Sequence, residues 1–517
     1  MQKYQILWAD DEIDLLKAHI FFLEQKGYEI TAVNSGIEAL EEVESNYFDV
    51  VFLDENMPGK SGLEVLAEIK KIKPTLPVIM ITKSEAEHIM EEAIGNQISD
   101  YLIKPLNPNQ ILLSLKKILD NTKLVSEQTN LAYQKDFQKI SMQYNDILDY
   151  SEWLDVYKRL TMHELGIESS SGGGMKEVLE MQKREANLNF TRFIQRNYEN
   201  WMSGTYDRPL MSPELMEERV LPLIKAERPV FFILIDNLRY DQWKTLEPMI
   251  NQYLKLEVED CYYSMLPTTT AYSRNAIFSG LWPLEISKKY PKFWTSEEDD
   301  EGKNQYEKEL FEMLLHRNKL DHKFSFNKIF NSEHGENILS QLKNLLKNDI
   351  NLLVFNFIDM MSHARTDLRM IKELAKDEAA YRSITKSWFE HSELFRLIKE
   401  LSKTNAKVII TTDHGMTRVN KPIQIKGEKT INSNLRYKVG RSLSFESKNI
   451  WEVKNPEKIN LPKSNLSDSF VFTSDDYFFA YPNNYNQYVN HYKDTFQHGG
   501  ISMEEIIIPF IELSGRG

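Results

Sequence analysis

Several short apolar runs in this 517-residue chain end in side chains that a packed core would not choose. In the first 120 residues, Asp10 and Asp11 follow the run Tyr4–Ala9, and Asp54 follows Val50–Leu53. Thr82 follows Val78–Ile81, and Lys104 follows Tyr101–Ile103. The carboxyl ends of neighbouring strands in an open parallel sheet converge on one crevice, so these three carboxylates, a hydroxyl and an ammonium should meet there. Carboxylate oxygens suit Mg²⁺, which keeps several waters and a phosphate oxygen. The lysine and the threonine could hold the remaining oxygens of a phosphorylated aspartate.

A second set lies after residue 230. Asp236 follows FFILI, Asp359 and His363 follow NLLVFNFI, Asp413, His414 and Gly415 follow VIITT, and His498 precedes the last apolar run. Carboxylates and imidazoles are ligands for Zn²⁺ or Mn²⁺ in catalytic sites that keep an open position. Two such ions about 3.5–4 Å apart could clamp the attacking and leaving oxygens of a phosphoryl transfer. The stretch Leu266–Gly280 (LPTTTAYSRNAIFSG) offers a nucleophile among its three threonines, at the start of a helix carrying Ala276, Ile277 and Phe278. Amide groups there would help hold an anion. Arg274 on the same helix reads either as a phosphate contact or as a surface salt bridge. Taken singly, these residues are uninformative: Asp-His-Gly also suits a turn with glycine at positive φ, and an isolated Asp/His pair four apart normally lies on a solvated helix face. Their order and their placement at strand ends carry the reading.

The elements that must position them come in three sections. Residues 1–120 alternate strand and helix, which makes a parallel sheet with helices on both faces. Residues 121–205 have helical period and read as a connector or small bundle, broken by the flexible stretch Ser169–Gly174. Residues 206–517 return to α/β, opening at Val230 and continuing with strands at Asn351–Ile358, Val408–Thr412 and Glu505–Ile511. The composition, 41% hydrophobic and 27% charged, is that of a globular protein. Cys261 is the sole cysteine, which rules out an internal disulfide and a thiolate zinc site. The opening residues lack a signal peptide pattern, and no run of about 18 apolar residues occurs, so a cytoplasmic protein that is not membrane-inserted is expected. With 63 basic and 77 acidic residues the net charge is −14, which disfavours a duplex-DNA coat. Residues 426–463 reverse that sign, with nine Lys or Arg against four Glu. Lys429, Arg436, Lys438 and Arg441 are the densest part, with Tyr437 among them. Such a segment either draws a polyanion to the site or is a solvated loop.

The residues DDE, LDENMPGKSGLEVL and Lys104-Pro105 resemble those of response-regulator receiver domains over residues 1–120. The resemblance implies a flavodoxin-like doubly wound sheet and phosphorylation of Asp54. It also implies Mg²⁺ on Asp11, Asp54 and the Asn56 carbonyl with Asp10 in support, and a switch pair of Thr82 and Tyr101. The order Asp, Thr, Asp-xxx-His, Asp-His-Gly, His resembles the alkaline phosphatase superfamily, closest to its PglZ-type branch. This implies one zinc on Asp236, Thr270, Asp413 and His414, and another on Asp359, His363 and His498. Thr270 matches the family nucleophile best, with Thr269 as competitor. Cys261 is followed by Tyr-Tyr-Ser, which excludes the sulfatase branch.

The combination resembles PorX-type response regulators over the whole chain. That implies a sensor histidine kinase partner, a sigma factor and a cytoplasmic component of the type IX secretion machinery, and zinc-dependent phosphodiesterase activity on nucleotides or oligonucleotides. No helix-turn-helix output follows the receiver, so direct DNA binding is not expected. Phosphorylation is expected to drive homodimerisation. A non-catalytic signalling adaptor and a phosphomonoesterase remain as alternatives.

Overall fold

The computed structural model describes residues 4–83, 98–144, 148–168, 173–204, 207–224, 228–295, 304–367, 375, 377–427, 434–446 and 449–515. It divides into two compact units, one reaching Ala132 and the other starting at Tyr133.

In the first unit the strands β1 (Gln5–Ala9), β2 (Glu29–Val33), β3 (Val50–Asp54), β4 (Val78–Thr82) and β5 (Asp100–Ile103) form one sheet in the order β2-β1-β3-β4-β5. All its pairings are parallel. The inner strands β1, β3 and β4 are continuous apolar runs because both faces are covered. Ile6, Trp8, Phe52, Ile79 and Ile81 pack with Leu102, Ile111 and Leu115 on one face. Leu7, Ala9, Val51, Leu53 and Met80 pack with Ala39, Leu40, Val65 and Leu66 on the other. A capping box between Ser61 and Glu64 starts the helix Gly62–Ile72 that follows the Asp54 loop.

The second unit has a six-stranded sheet. Its members are β6 (Val230–Ile235), β7 (Leu254–Tyr263), β8 (Phe324–Ile329), β9 (Ile350–Phe355), β10 (Lys407–Thr411) and the C-terminal strand Ile507–Gly515. Their order is β7, C-terminal strand, β10, β6, β9, β8. The last four are parallel, and the C-terminal strand runs antiparallel to both of its neighbours. β7 and β8 fall outside the sequence expectation. Their runs LKLEVEDCYY and FSFNKI mix polar with apolar residues, as strands near a sheet edge can. The strand expected at Asn351–Ile358 stops at Phe355, and the helix Phe357–Asp367 then carries Asp359 and His363. The expected strand Glu505–Ile511 is Ile507–Gly515, preceded by the short helix Met503–Ile506.

The helices Tyr150–Glu168 and Gly173–Met202 belong to this second core. Trp153, Tyr157, Phe190, Ile194 and Tyr198 pack in one cluster with Phe231, Ile233, Trp243 and Tyr263 of the α/β layer. Of the Ser169–Gly174 break, residues 169–172 lie outside the described residues. Among the described residues no helix is long and apolar enough to cross a membrane. Asn187 joins the long helix to the end of the chain: its Nδ2 donates to Glu504 at 2.9 Å, and its Oδ1 accepts from the Met503 amide at 2.8 Å. Asn187→Ala would leave that buried amide unsatisfied, at a cost of about 1–3 kcal/mol. A lower urea midpoint for the unfolding of the second unit is expected, and an unchanged one would show that the bond contributes nothing.

Candidate functional site

In the first unit the strand ends meet as their order requires. Asp10 and Asp54 are buried, and Lys104 Nζ lies 2.9 Å from Asp10 Oδ2 and 2.7 Å from Asp54 Oδ1. Asp54 Oδ2 accepts from the Asn56 amide at 3.1 Å, which fixes the loop that carries the Asn56 carbonyl. Burial pushes the Asp54 carboxyl above its ordinary range, with the Asp10 charge adding to this and Lys104 opposing it. Asp10, Asp11 and Glu12 together could hold a cation, and Glu12 is a member that sequence reasoning did not single out. Thr82 Oγ1 donates to Glu55, a second residue missed by the sequence reading. Tyr101 lies on the strand next to that of Thr82 and is 42% exposed.

In the second unit the structure brings together all six expected carboxylates and imidazoles in two groups, Asp236 with Asp413 and His414, and Asp359 with His363 and His498. The groups adjoin, because the His414 and His498 rings stack with centroids 4.4 Å apart. His498 Nε2 lies 3.7 Å from Asp359 Oδ1, and the exposed His363 reaches Asp359 Oδ2 at 3.5 Å. Thr270 is the first residue of the helix Thr270–Ser279. Its Oγ1 lies 3.1 Å from His414 Nε2 and donates to Asp236 Oδ1 at 3.5 Å. The Thr269 hydroxyl is buried and has no hydrogen-bond partner among the described residues.

The donors suit divalent cations. Burial and then the neighbouring imidazole of His414 lower His498 to about 3, so its ring is neutral and free to act as a ligand. Burial raises Asp236 well above the usual carboxylate range; Arg274 opposes this, and the charges of Asp413 and Asp359 add to it. A cation between these carboxylates would offset that repulsion. Two asparagines orient the carboxylates: Asn237 Nδ2 donates to Asp359 Oδ1 at 3.2 Å, and Asn356 Nδ2 to Asp236 Oδ2 at 3.0 Å. Sequence reasoning missed both. Their signal was the position directly after the strand-end aspartate and directly after strand β9.

Three expected substrate-binding residues need correction. Arg436 is fully buried, and its Nε and Nη2 fork onto Glu505 at 3.1 and 2.6 Å. Glu505 in turn accepts from the Gly500 amide at 2.8 Å, so Arg436 braces the His498 loop and cannot meet a ligand in solvent. Lys438 is also fully buried, bonded to the Tyr481 hydroxyl at 2.8 Å, and burial lowers its ammonium to about 7. Arg274 is 1% exposed and pairs with Asp236 and Asp413, so it is neither a surface salt bridge nor open to solvent. Arg441 is exposed, 3.9 Å from Asp468, and Lys429 lies outside the described residues. The described part of the basic segment is not a single solvated loop, since Tyr437–Gly440 and Ile450–Val453 flank Ser469–Thr473 in an antiparallel sheet.

Comparison with known proteins agrees with this geometry. Residues 6–116 match the response regulator receiver domain, residues 123–202 the PorX response regulator linker domain, and residues 215–513 the BREX system PglZ alkaline phosphatase-like domain. A receiver joined by this linker to a phosphatase-like domain defines a response regulator with a phosphatase-superfamily output. The chain belongs to the PglZ alkaline phosphatase-like family, in the PorX-type arrangement. The receiver implies a phosphodonor such as a histidine kinase.

Among similar proteins, the transcriptional regulatory protein ZraR of Klebsiella oxytoca is 35% identical over 123 residues, covering 24% of this chain and 28% of that protein. ResD of Bacillus subtilis is 34% identical over 116 residues, covering 22% and 48%. The chain therefore spans under half the length of these relatives. A CheY-like receiver from Methanospirillum hungatei is 28% identical, covering 23% of this chain and 96% of that one, with a TM-score of 0.23.

Gly415 of Asp-His-Gly is required by close approach and not by a left-handed turn. A Cβ there would lie 1.9 Å from the Glu504 carbonyl oxygen. Gly415→Ala must push the two loops apart, at about 1–3 kcal/mol. A lower melting temperature with weakened metal binding is expected; an unchanged melting curve would contradict the packing argument.

Proposed function

We propose that the protein is a response regulator, phosphorylated on Asp54, whose output is a zinc-dependent phosphodiesterase acting on nucleotides or oligonucleotides. The observation that carries this reading is the Thr270 hydroxyl at a helix N-terminus, held between His414 Nε2 and Asp236 Oδ1, beside two adjoining Asp/His groups. Zinc ions on these groups would supply Lewis-acid charge at the attacking and leaving oxygens.

The residues do the rest. Asp236 Oδ1 accepts the Thr270 hydrogen bond, which turns an oxygen lone pair towards an incoming phosphorus. The helix N-terminus adds partial positive charge where the phosphoryl oxygens sit. As Oγ1 gives its proton to Asp236 Oδ1 and attacks, a Thr270–phosphorus bond forms and the ester oxygen leaves, taking up that proton; water then cleaves the bond, its hydroxyl staying on phosphorus and its other proton returning to Oγ1. His498 is fixed for its part by Thr268, whose carbonyl lies 3.3 Å from Nδ1 and whose hydroxyl accepts from the Gly499 amide. The nucleotide substrate class rests on the family resemblance, because of the described basic residues expected to bind it only Arg441 lies exposed.

On the same resemblance, the receiver takes its phosphoryl group from a sensor histidine kinase, with Mg²⁺ on Asp10, Asp11, Asp54 and Asn56. The protein then dimerises through the change at Thr82 and Tyr101. Its action in the cytoplasm reaches a sigma factor and the type IX secretion machinery.

Metal analysis combined with hydrolysis of paired mono- and diester aryl phosphates tests the output. Two zinc ions per chain are expected, with the diester preferred and activity lost on chelation. Thr270→Val should lower kcat by at least about a hundredfold while retaining metal. Zinc without turnover would establish the adaptor reading, and a preference for the monoester would establish a phosphomonoesterase. For the switch, sedimentation with a phosphoryl mimic should show a dimer in the wild type and a monomer in Asp54→Asn. A mass unchanged by the mimic would overturn phosphorylation-driven dimerisation.

A further inference from the structure

A threonine hydroxyl has one hydrogen to donate, so its direction decides which acceptor it serves. Thr82 ends strand β4 and is buried, and its Oγ1 donates to Glu55 Oε2. Glu55 is the residue directly after Asp54. Its amide donates to the Ile81 carbonyl at 2.8 Å, which carries the β3–β4 ladder one step beyond the paired Asp54 and Ile81. The Glu55 and Thr82 side chains thus leave neighbouring strand ends within reach of each other. Asp54 is held by other groups: its Oδ1 lies 2.7 Å from Lys104 Nζ, and its Oδ2 accepts from the Asn56 amide at 3.1 Å.

A phosphoryl group on Asp54 would bring three strong acceptor oxygens to the same strand ends. For Thr82 to donate to one of them, its hydrogen must first leave Glu55. A hydrogen bond to a carboxylate is stronger than one between neutral groups, so that departure has a cost. Tyr101, on the strand beside Thr82, is 42% exposed. With the Thr82 hydroxyl on Glu55 and Tyr101 open to solvent, the proposed switch pair stands in its resting arrangement.

We propose that Glu55 is a positioning residue that holds the Thr82 hydroxyl in its resting direction and so sets how readily the receiver accepts a phosphoryl group. It competes with the phosphoryl oxygens for one hydrogen and acts through Thr82. The hydroxyl changes acceptor by rotation, and no covalent bond forms or breaks in that step. The inference rests on the reading that Asp54 is phosphorylated and that Thr82 closes on the phosphoryl oxygens.

The test titrates full-length protein with beryllofluoride, a stand-in for the phosphoryl group on aspartate, in the presence of Mg²⁺. Affinity is read from the fluorine NMR signals of the bound ion. Glu55→Ala frees the hydroxyl, and affinity should rise about tenfold. Glu55→Gln keeps a neutral, weaker acceptor, so a smaller rise is expected. Thr82→Ala should weaken binding, and adding Glu55→Ala to it should change nothing further, because the group through which Glu55 acts is gone. A merely structural role would shift melting temperatures without producing this coupling. Should Glu55→Ala fail to fold, Glu55→Gln carries the comparison in both backgrounds. Unchanged affinity in the Glu55 variants overturns the proposal. An equal rise with and without the Thr82 hydroxyl overturns it too, since Glu55 would then act by its charge. A wild type that takes up no beryllofluoride would sink the phosphorylation reading and this inference with it. A wild type that binds it with an affinity shared by every Glu55 variant would sink this inference alone.

Discussion

Carboxylates crowded at the ends of buried strands repel one another, and both sites of this protein are organised around that repulsion. Asp10 and Asp54 face each other at the end of one sheet, and Asp236, Asp359 and Asp413 at the end of the other. Out of water such charges persist only when paired. Each cluster therefore has a fixed cation on one side, Lys104 in the first and Arg274 in the second, and an open side where a divalent ion would complete the balance. The hydrogen bonds around them aim individual oxygens: Asn56 fixes Asp54, Asn356 fixes Asp236, and Asn237 fixes Asp359.

The surrounding packing keeps these side chains in place. The His498 loop is far in sequence from the other Asp and His residues of the site, and it is held by the buried Arg436–Glu505 fork and by Thr268. Gly499, at φ +115°, lets the loop turn over the Tyr437 ring. The long helix Gly173–Met202 reaches the same region: Tyr198 accepts from the Leu266 amide at 2.8 Å, at the start of the threonine run, and Asn187 holds Met503 and Glu504. The linker residues from Tyr133 on are thus built into the core of the output domain, and the threonine run and the segment after His498 rest on them.

Asp236, Asp359, Asp413 and His414, like Asp10, Asp11, Asp54, Thr82 and Lys104, were legible because they interrupt an apolar run at its exit, where packing alone would not place a polar group. His363 and His498 were legible only through their order in the family pattern. The first sheet was legible for the same reason, since β1, β3 and β4 are unbroken apolar runs between turn residues. What failed was anything whose meaning depends on a distant partner. Arg436 and Lys438 looked solvated because they sit in a basic stretch, but the counter-ion of Arg436 lies 69 residues further on, and Lys438 is covered by residues such as Tyr481. Arg274 was read as facing a ligand or solvent, because nothing local reveals that Glu307 and two metal-group carboxylates enclose it. Asn237 and Asn356 were invisible for another reason: asparagine is common in turns, and only the bond it makes distinguishes an orienting residue from a turn former.

The two fixed cations are not interchangeable, and the difference matches the tasks of the two sites. Lys104 is a point charge on a flexible four-carbon stem, 12% exposed, holding Asp10 and Asp54 through one nitrogen. Such a group can follow an oxygen as it moves, which fits the phosphorylation proposed for Asp54. Arg274 is a rigid planar fork, and its nitrogens are committed to Asp236, Asp413 and Glu307. To move it would break several charge-assisted bonds inside the core, each costly to leave unmade. On the proposed reading, the centre that changes state is built on lysine and the one that keeps its geometry is built on arginine. One chain holds strand-end carboxylates in this way twice, and the choice of counter-ion, mobile in one and rigid in the other, separates the two clusters.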